Sequence, residues 1–319
     1  LGSVESSLRS GGPFELWSMS PDREVLGSGA LCFMQAAPLS PVEYSLHLDA
    51  TVIPLNELLG ETLAIDFAGR ISCRHCGATT RKSYGEGYCY PCFKTLARCD
   101  LCVVSPDRCH YAAGTCREPT WGEAFCMQPH VVYLANSAGA KVGITKREHL
   151  PGRWLDQGAT QALVILYTAT RHQAGCVEAA LAKHVADRTD WRGLIGEDAQ
   201  AIDLPSLAAQ LRRAAAYEIA ALERTFANAL VWADREVPVS FDYPVVRYGS
   251  PARGLTLTPD ERVEGVLLGI KGQYLMFDCG VFNVRRHTSY HVTVTRGASG
   301  RPRVIRCDEQ GQDQLELFQ

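Results

Sequence analysis

The apolar positions change their spacing along the chain, and each change predicts a different kind of element. Residues 27–35 and 44–52 carry apolar stretches that predict strands, with a proline-bearing turn at Pro38 to Pro41 between them. The run Leu63-Ala-Ile-Asp-Phe67, followed by Ala68-Gly69 and Arg70-Ile-Ser72, predicts a hairpin whose second arm feeds a cysteine pair. Residues 131–135, 140–144 and 162–170 predict three further strands, and 174–188 has helical composition and spacing. Residues 204–233 predict one long alanine-rich helix, with Asp203 as N-cap and Pro205 in the first turn, where its missing N–H costs nothing. Its apolar stripe runs through Leu207, Leu211, Ala215, Ile219, Leu222, Phe226 and Leu230. Beyond Val237 alternation returns at 263–268, 274–278, 281–285 and 290–295, which predicts a small antiparallel sheet or partial barrel.

The expected fold class is α+β, in four parts. These are an N-terminal β-rich segment (1–72), a cysteine-rich region (73–129), a central α/β module with its following helix (130–235) and a C-terminal β-rich segment (236–319). Neither β-rich end has many strands of its own, so the two are expected to pair with each other.

With 46% hydrophobic and 21% charged residues over 319 positions, the chain can bury a core, which excludes a disordered or fibrous protein. The longest apolar run falls far short of the roughly 20 residues a membrane span needs. No export signal is recognised at the start, and a cytoplasmic location is expected. Lys and Arg number 32 against 35 Asp and Glu, a net charge of -3 that argues against bulk electrostatic coating of nucleic acid but leaves room for a local basic face.

Thirteen cysteines are present, an odd number, and only Cys32, Cys176, Cys279 and Cys307 are scattered. Cys73-x2-Cys76 and Cys89-x2-Cys92 have the spacing of a four-thiolate zinc site, in which two intervening residues let both sulfurs reach one ion. Cys99-x2-Cys102, Cys109 and Cys116 would serve a second ion, so two structural Zn²⁺ are expected, paired sequentially or interleaved. His110, Cys126 and His130 are further candidates to replace a thiolate. Closed thiolate sites hold folds together and do no chemistry. Around them Arg81 and Lys82, with other basic residues, interleave with Tyr84, Tyr88, Tyr90 and Phe93, which suits phosphate contacts and base stacking.

The order Val132-Tyr133-Leu134, Lys141-Val142-Gly143, Arg153 and then Glu178 on a helix resembles the GIY-YIG nucleases, over roughly residues 130–191. Val131-Val132 stands where that superfamily has a glycine and an aliphatic residue, and Lys141 where its second motif has a tyrosine. The wider pattern, a cysteine cluster followed by VYLA, KVGIT and RWLDQGA and then a β-rich GIKGQYL segment, resembles a family of bacterial proteins described as a domain of unknown function. The nuclease resemblance implies that Tyr133, Arg153 and Glu178, with Lys141, are catalytic. Glu178 would hold Mg²⁺ or Mn²⁺, Arg153 would clamp a phosphate, Tyr133 would orient or deprotonate water, and Lys141 would supply charge or depress the tyrosine's pKa. Gly143, Gln157, Arg171, Lys146, Arg81 and Lys82 are candidate substrate contacts. The function expected is a metal-dependent nucleic-acid phosphodiesterase acting on DNA or RNA. The alternative is a non-cleaving zinc-containing protein that binds nucleic acid or assists its modification on the same fold.

Overall fold

The computed structural model describes residues 23–185, 191–196, 199–227, 229–248, 253–259 and 262–297. The chain start, Cys307 and the last residues of the helix expected at 174–188 lie outside them. Among the described residues no helix is long and apolar enough to cross a membrane.

The described residues begin with β1 (Arg23–Ala30), β2 (Gln35–Ala37), β3 (Glu43–Leu48) and β4 (Thr51–Pro54), of which β3 alternates strictly and buries Tyr44, Leu46 and Leu48. β5 (Thr62–Ser72) is a single strand, not the expected hairpin. Its pairing with the last strand passes from Phe67↔Val292 to Ile71↔Tyr290, so Ala68-Gly69-Arg70 bulges outward without reversing the chain. Gly69 takes the left-handed backbone (φ 71°) that the bulge requires. After β6 (Thr79–Thr80), the cysteine-rich stretch has only short helices: α1 (Tyr90–Thr95), α2 (Leu101–Val104) and α3 (Pro119–Phe125).

The central stretch contains β7 (His130–Asn136), β8 (Ala140–Lys146), α4 (Gly152–Asp156), β9 (Gln161–Thr168), α5 (Arg171–Ala182) and α6 (Trp191–Gly196). α5 opens with a capping box, in which the Thr170 side chain accepts from the Gln173 backbone and Gln173 reaches back to the N-cap. The long helix expected at 204–233 is two helices, α7 (Leu204–Ala214) and α8 (Ala216–Thr225), separated at Ala215 (φ -94°, ψ 15°). Its last residues form β10 (Leu230–Trp232), which hydrogen-bonds to β9. The stripe did report burial, because Leu211, Ala215, Ile219 and Leu230 share one core with Val132, Leu134 and Val177. Periodicity records which positions face inward and is silent on a break between two helices that use the same face.

β11 (Val239–Ser240) and β12 (Gly254–Leu255) lead into β13 (Val263–Lys271), β14 (Tyr274–Phe277), β15 (Gly280–Asn283) and β16 (Tyr290–Gly297). Among the described residues the strands form sheets of eight, five and three strands. The largest has the order β1-β16-β5-β13-β14-β15-β12, with β6 on β5, so strands from both ends of the chain interleave. The central sheet runs β10-β9-β7-β8, with β11 also on β9 and with β8 at its edge.

Candidate functional site

The first cysteine pair lies where β5 ends. Gly77, in left-handed backbone at φ 74°, closes a turn in which its N–H reaches the Cys73 carbonyl at 2.8 Å and the Cys73 N–H reaches Ala78 at 2.8 Å. Cys89 is the N-cap of α1, and Cys92 lies in that helix. The sulfurs of Cys73, Cys76, Cys89 and Cys92 all lie within 4.8 Å of one another, a group that can hold a metal such as zinc. Burial opposes ionisation of the Cys73 thiol, but the backbone N–H groups of Cys76, Cys89 and His75 outweigh it and bring its pKa down to about 6. The pairing of these four cysteines is sequential along the chain.

Cys99 packs against this first group, with Cys73, Cys89, Cys92 and Phe93. Cys102, Cys109 and Cys116 lie together elsewhere in the segment, around a small void that Cys126 also reaches. Burial raises both the Cys99 and the Cys102 thiol to about 11. His130 is buried at the start of β7, its Nδ1 2.7 Å from the Gln128 carbonyl, and burial lowers its pKa to about 4.

A cleft of about 380 Å³ opens at the edge strand β8, between α4, α5 and residues 103–106 of the cysteine-rich segment. Tyr133, Lys141, Gly143, Arg153, Gln157, Arg171 and Glu178 all line it. Tyr133 is fully buried and sits directly opposite Gly143 in the β7–β8 ladder. A Cβ at Gly143 would fall 2.7 Å from the tyrosine Cζ and hydroxyl, so the glycine is the bed on which the ring lies. Trp154 meets the same ring edge-on, with centroids 6.0 Å apart.

Gln157 links the tyrosine to Arg153. Its neighbours are all satisfied when the amide oxygen accepts from Arg153 at 3.2 Å (Nε) and 3.0 Å (Nη2), and the amide nitrogen donates to the Tyr133 hydroxyl at 3.0 Å. In that orientation the Gln157 oxygen also lies within reach of the phenolic O–H, at 3.3 Å. Burial pushes the Tyr133 pKa above its ordinary value, and the nearby Arg153 only partly offsets this. The expectation of a depressed pKa therefore gives way to a neutral phenol that donates a hydrogen bond. Three cationic side chains face one carboxylate in the cleft, so it favours an anion.

Other expected contacts have structural duties. Arg171 donates to the carbonyls of Cys102 (3.0 Å) and Val103 (2.6 Å), tying the start of α5 to the cysteine-rich segment. Lys146 does not line the cleft; its ammonium donates to the Ala124 carbonyl at 3.0 Å, pairs with Glu148 at 3.1 Å and covers the Phe125 ring. Arg81 and Lys82 are exposed on the cysteine-rich segment and do not line the cleft either. The aromatics beside them pack on one another, Tyr84 lying 5.4 Å from Tyr90 and 5.9 Å from Phe93.

Val103, Val104 and Pro106, which wall the cleft, carried no signal in the sequence. Gly175 did carry one, as a glycine inside a helix that would be stabler with alanine. A Cβ there would meet Pro106 Cβ at 2.4 Å and Asp107 N at 2.8 Å, so the glycine lets α5 touch the cysteine-rich backbone.

A family profile described as protein of unknown function (DUF2797) matches residues 60–292. The chain belongs to that family. The DUF2797 match begins just before β5 and extends into β16, so it takes in the cysteine cluster, the cleft and much of the large sheet. No curated protein and no solved structure matches the chain.

Proposed function

We propose that the cleft binds a phosphodiester of DNA or RNA and hydrolyses it with a divalent metal ion, on a GIY-YIG-like arrangement of the central module. The observation that carries this is the meeting of Tyr133, Arg153, Lys141 and Glu178 around one anion-favouring cleft, although they come from β7, α4, β8 and α5. Phosphodiester hydrolysis needs a positioned water and positive charge for the transition state. Glu178 offers the hard carboxylate oxygen that Mg²⁺ or Mn²⁺ prefers, and such an ion would supply an activated water and polarise the phosphoryl oxygens. Arg153, held by Gln157, presents its guanidinium to the phosphate. Tyr133 stays protonated and donates its hydrogen bond to the attacking water or to a phosphate oxygen. Lys141 adds charge at the mouth of the same cleft.

The test is a panel of single- and double-stranded DNA and structured RNA, with Mg²⁺ or Mn²⁺ added. Glu178→Gln is expected to abolish cleavage and leave binding nearly intact, and Arg153→Ala to weaken both. Tyr133→Phe is expected to slow the chemical step by about 10²-fold or more and spare binding. Stoichiometric binding without turnover by the wild type would reject hydrolysis and support a non-cleaving nucleic-acid-binding module.

A further inference from the structure

We propose that Cys102, Cys109, Cys116 and Cys126 hold a second zinc ion, and that Cys99 is not one of its ligands. The four cysteines line one void of about 10 Å³, the space that a single ion or water molecule fills. They reach it from separate places: α2, the turn after Pro106, the loop before α3 and the C-cap of α3. Cys99 lies on the other side, in the apolar shell of the first cluster.

The backbone leaves room for these sulfurs around the void, although as a set they are spread wider than the first four. At Gly122 on α3 a Cβ would lie 3.0 Å from the Tyr111 ring and 3.3 Å from the Cys116 sulfur, so any side chain there would crowd the void. The Gly122 carbonyl also accepts the Cys126 N–H at 2.7 Å, fixing the cysteine at the helix end.

The alternative donors close by are already engaged. Asp100 pairs with Arg117 at 2.7 Å and accepts the Leu101 N–H at 2.6 Å. His110 meets Thr115 through Nδ1 at 2.8 Å and faces Asp100 through Nε2 at 3.4 Å. Their ligand atoms and the Cys102 sulfur do lie within 4.8 Å of one another, which makes them the competing set. Thiolates are the softer donors and the ones that structural zinc prefers.

Charge provides an independent reason. The half-buried Arg171 guanidinium lies beside the Cys102 and Cys126 thiols, and its main-chain N–H donates to the Cys126 carbonyl at 2.8 Å. With four neutral thiols the counter-charge acting on that cation comes from Glu178, whereas a four-thiolate zinc complex adds a formal -2 beside it. Because Cys102 leads directly into Val103 and Val104, the ion also braces one wall of the cleft.

The experiment measures zinc per chain in the full-length protein by elemental analysis. Two ions are expected for the wild type and for Cys99→Ser and His110→Ala, and one for Cys126→Ser. Loss of an ion in Cys99→Ser or His110→Ala, with both kept in Cys126→Ser, would overturn the assignment. Should Cys126→Ser fail to fold, alkylation of the wild type by a maleimide, read by peptide mass spectrometry, decides the matter. Cys102, Cys109, Cys116 and Cys126 are expected to resist labelling until a chelator is added, with Cys99 labelled more readily than these four. Rapid labelling of Cys126 in the zinc-loaded protein would sink the proposal.

Discussion

The large sheet and the cysteine-rich segment meet at Ser72 and Cys73, yet they hold their shapes by opposite means. The sheet is a hydrophobic structure assembled from distant parts of the chain. β1 pairs with β16, so that Arg23 lies opposite Gly297, and β5 lies between β16 and β13. Leu63, Ile65, Val263, Leu267, Phe282, Val292 and Val294 are all buried in one cluster with Tyr44 and Leu46. The cysteine-rich segment uses neighbours in sequence, and the buried part of its own cluster is Cys73, Tyr88, Cys89 and Leu96. So little apolar area cannot offset the conformational entropy of ordering such a stretch. Thiolate–metal bonds at the cysteine group that can hold a metal would supply what the missing core does not.

Metal removal should separate the two regions most sharply. Structural zinc contributes about 10–16 kcal/mol to folding in small zinc-binding peptides, so chelation or Cys73→Ser should unfold the segment. Hydrogen exchange is expected to show its amides losing protection while β13 to β16 keep theirs. Loss of protection in both regions at once would erase the distinction.

The converse change is Phe282→Ala, in the core of the sheet, where the ring is fully buried. Removing a buried aromatic costs about 3–5 kcal/mol, visible as a lower denaturant midpoint, with zinc content unchanged.

Acid should reveal a difference of similar size. His287, in the turn between β15 and β16 of the large sheet, is buried, stacked on Phe282 and held near a pKa of about 4 by burial. The unfolded chain takes up that proton near 6.5 and the folded chain only near 4, so stability is complete above pH 6.5 and declines as pH falls towards 4. The loss is roughly 3 kcal/mol for one such group. The slope of melting temperature against pH should flatten in His287→Gln, and an unchanged slope would assign the acid sensitivity to other groups, the buried His130 among them.

The smallest expected effect probes the cleft. Gly143→Ala forces a methyl group against the Tyr133 ring and should cost about 1–3 kcal/mol. Thermal melting measures that cost. Weaker binding of nucleic acid by the folded variant would show that the ring's position matters to the cleft.

Much of this was legible because it is local. Apolar runs marked β3 and β7, alternation marked β13 and β16, and the paired CxxC spacing marked the first thiolate group, since two residues between sulfurs already fix how they turn. The order of Tyr133, Arg153 and Glu178 marked residues that do line one cleft. The mistaken elements were also local patterns. Ala68-Gly69 has the composition of a turn whether it reverses a chain or bulges within a strand, and only the partner strand β16 decides which.

The sequence by itself therefore determined which residues alternate, which cysteines could share an ion and which side chains are candidates for chemistry, because those properties depend on neighbours a few positions away. The tertiary structure alone decided that strands from the two ends interleave and that Cys126 joins Cys102 while Cys99 packs elsewhere. It also decided that Arg171 ties α5 to the cysteine-rich segment and that Gly143 exists to seat a ring from the opposite strand. Each of these is a close approach between backbones far apart in sequence, set by steric fit and charge in three dimensions, and no spacing along the chain encodes it.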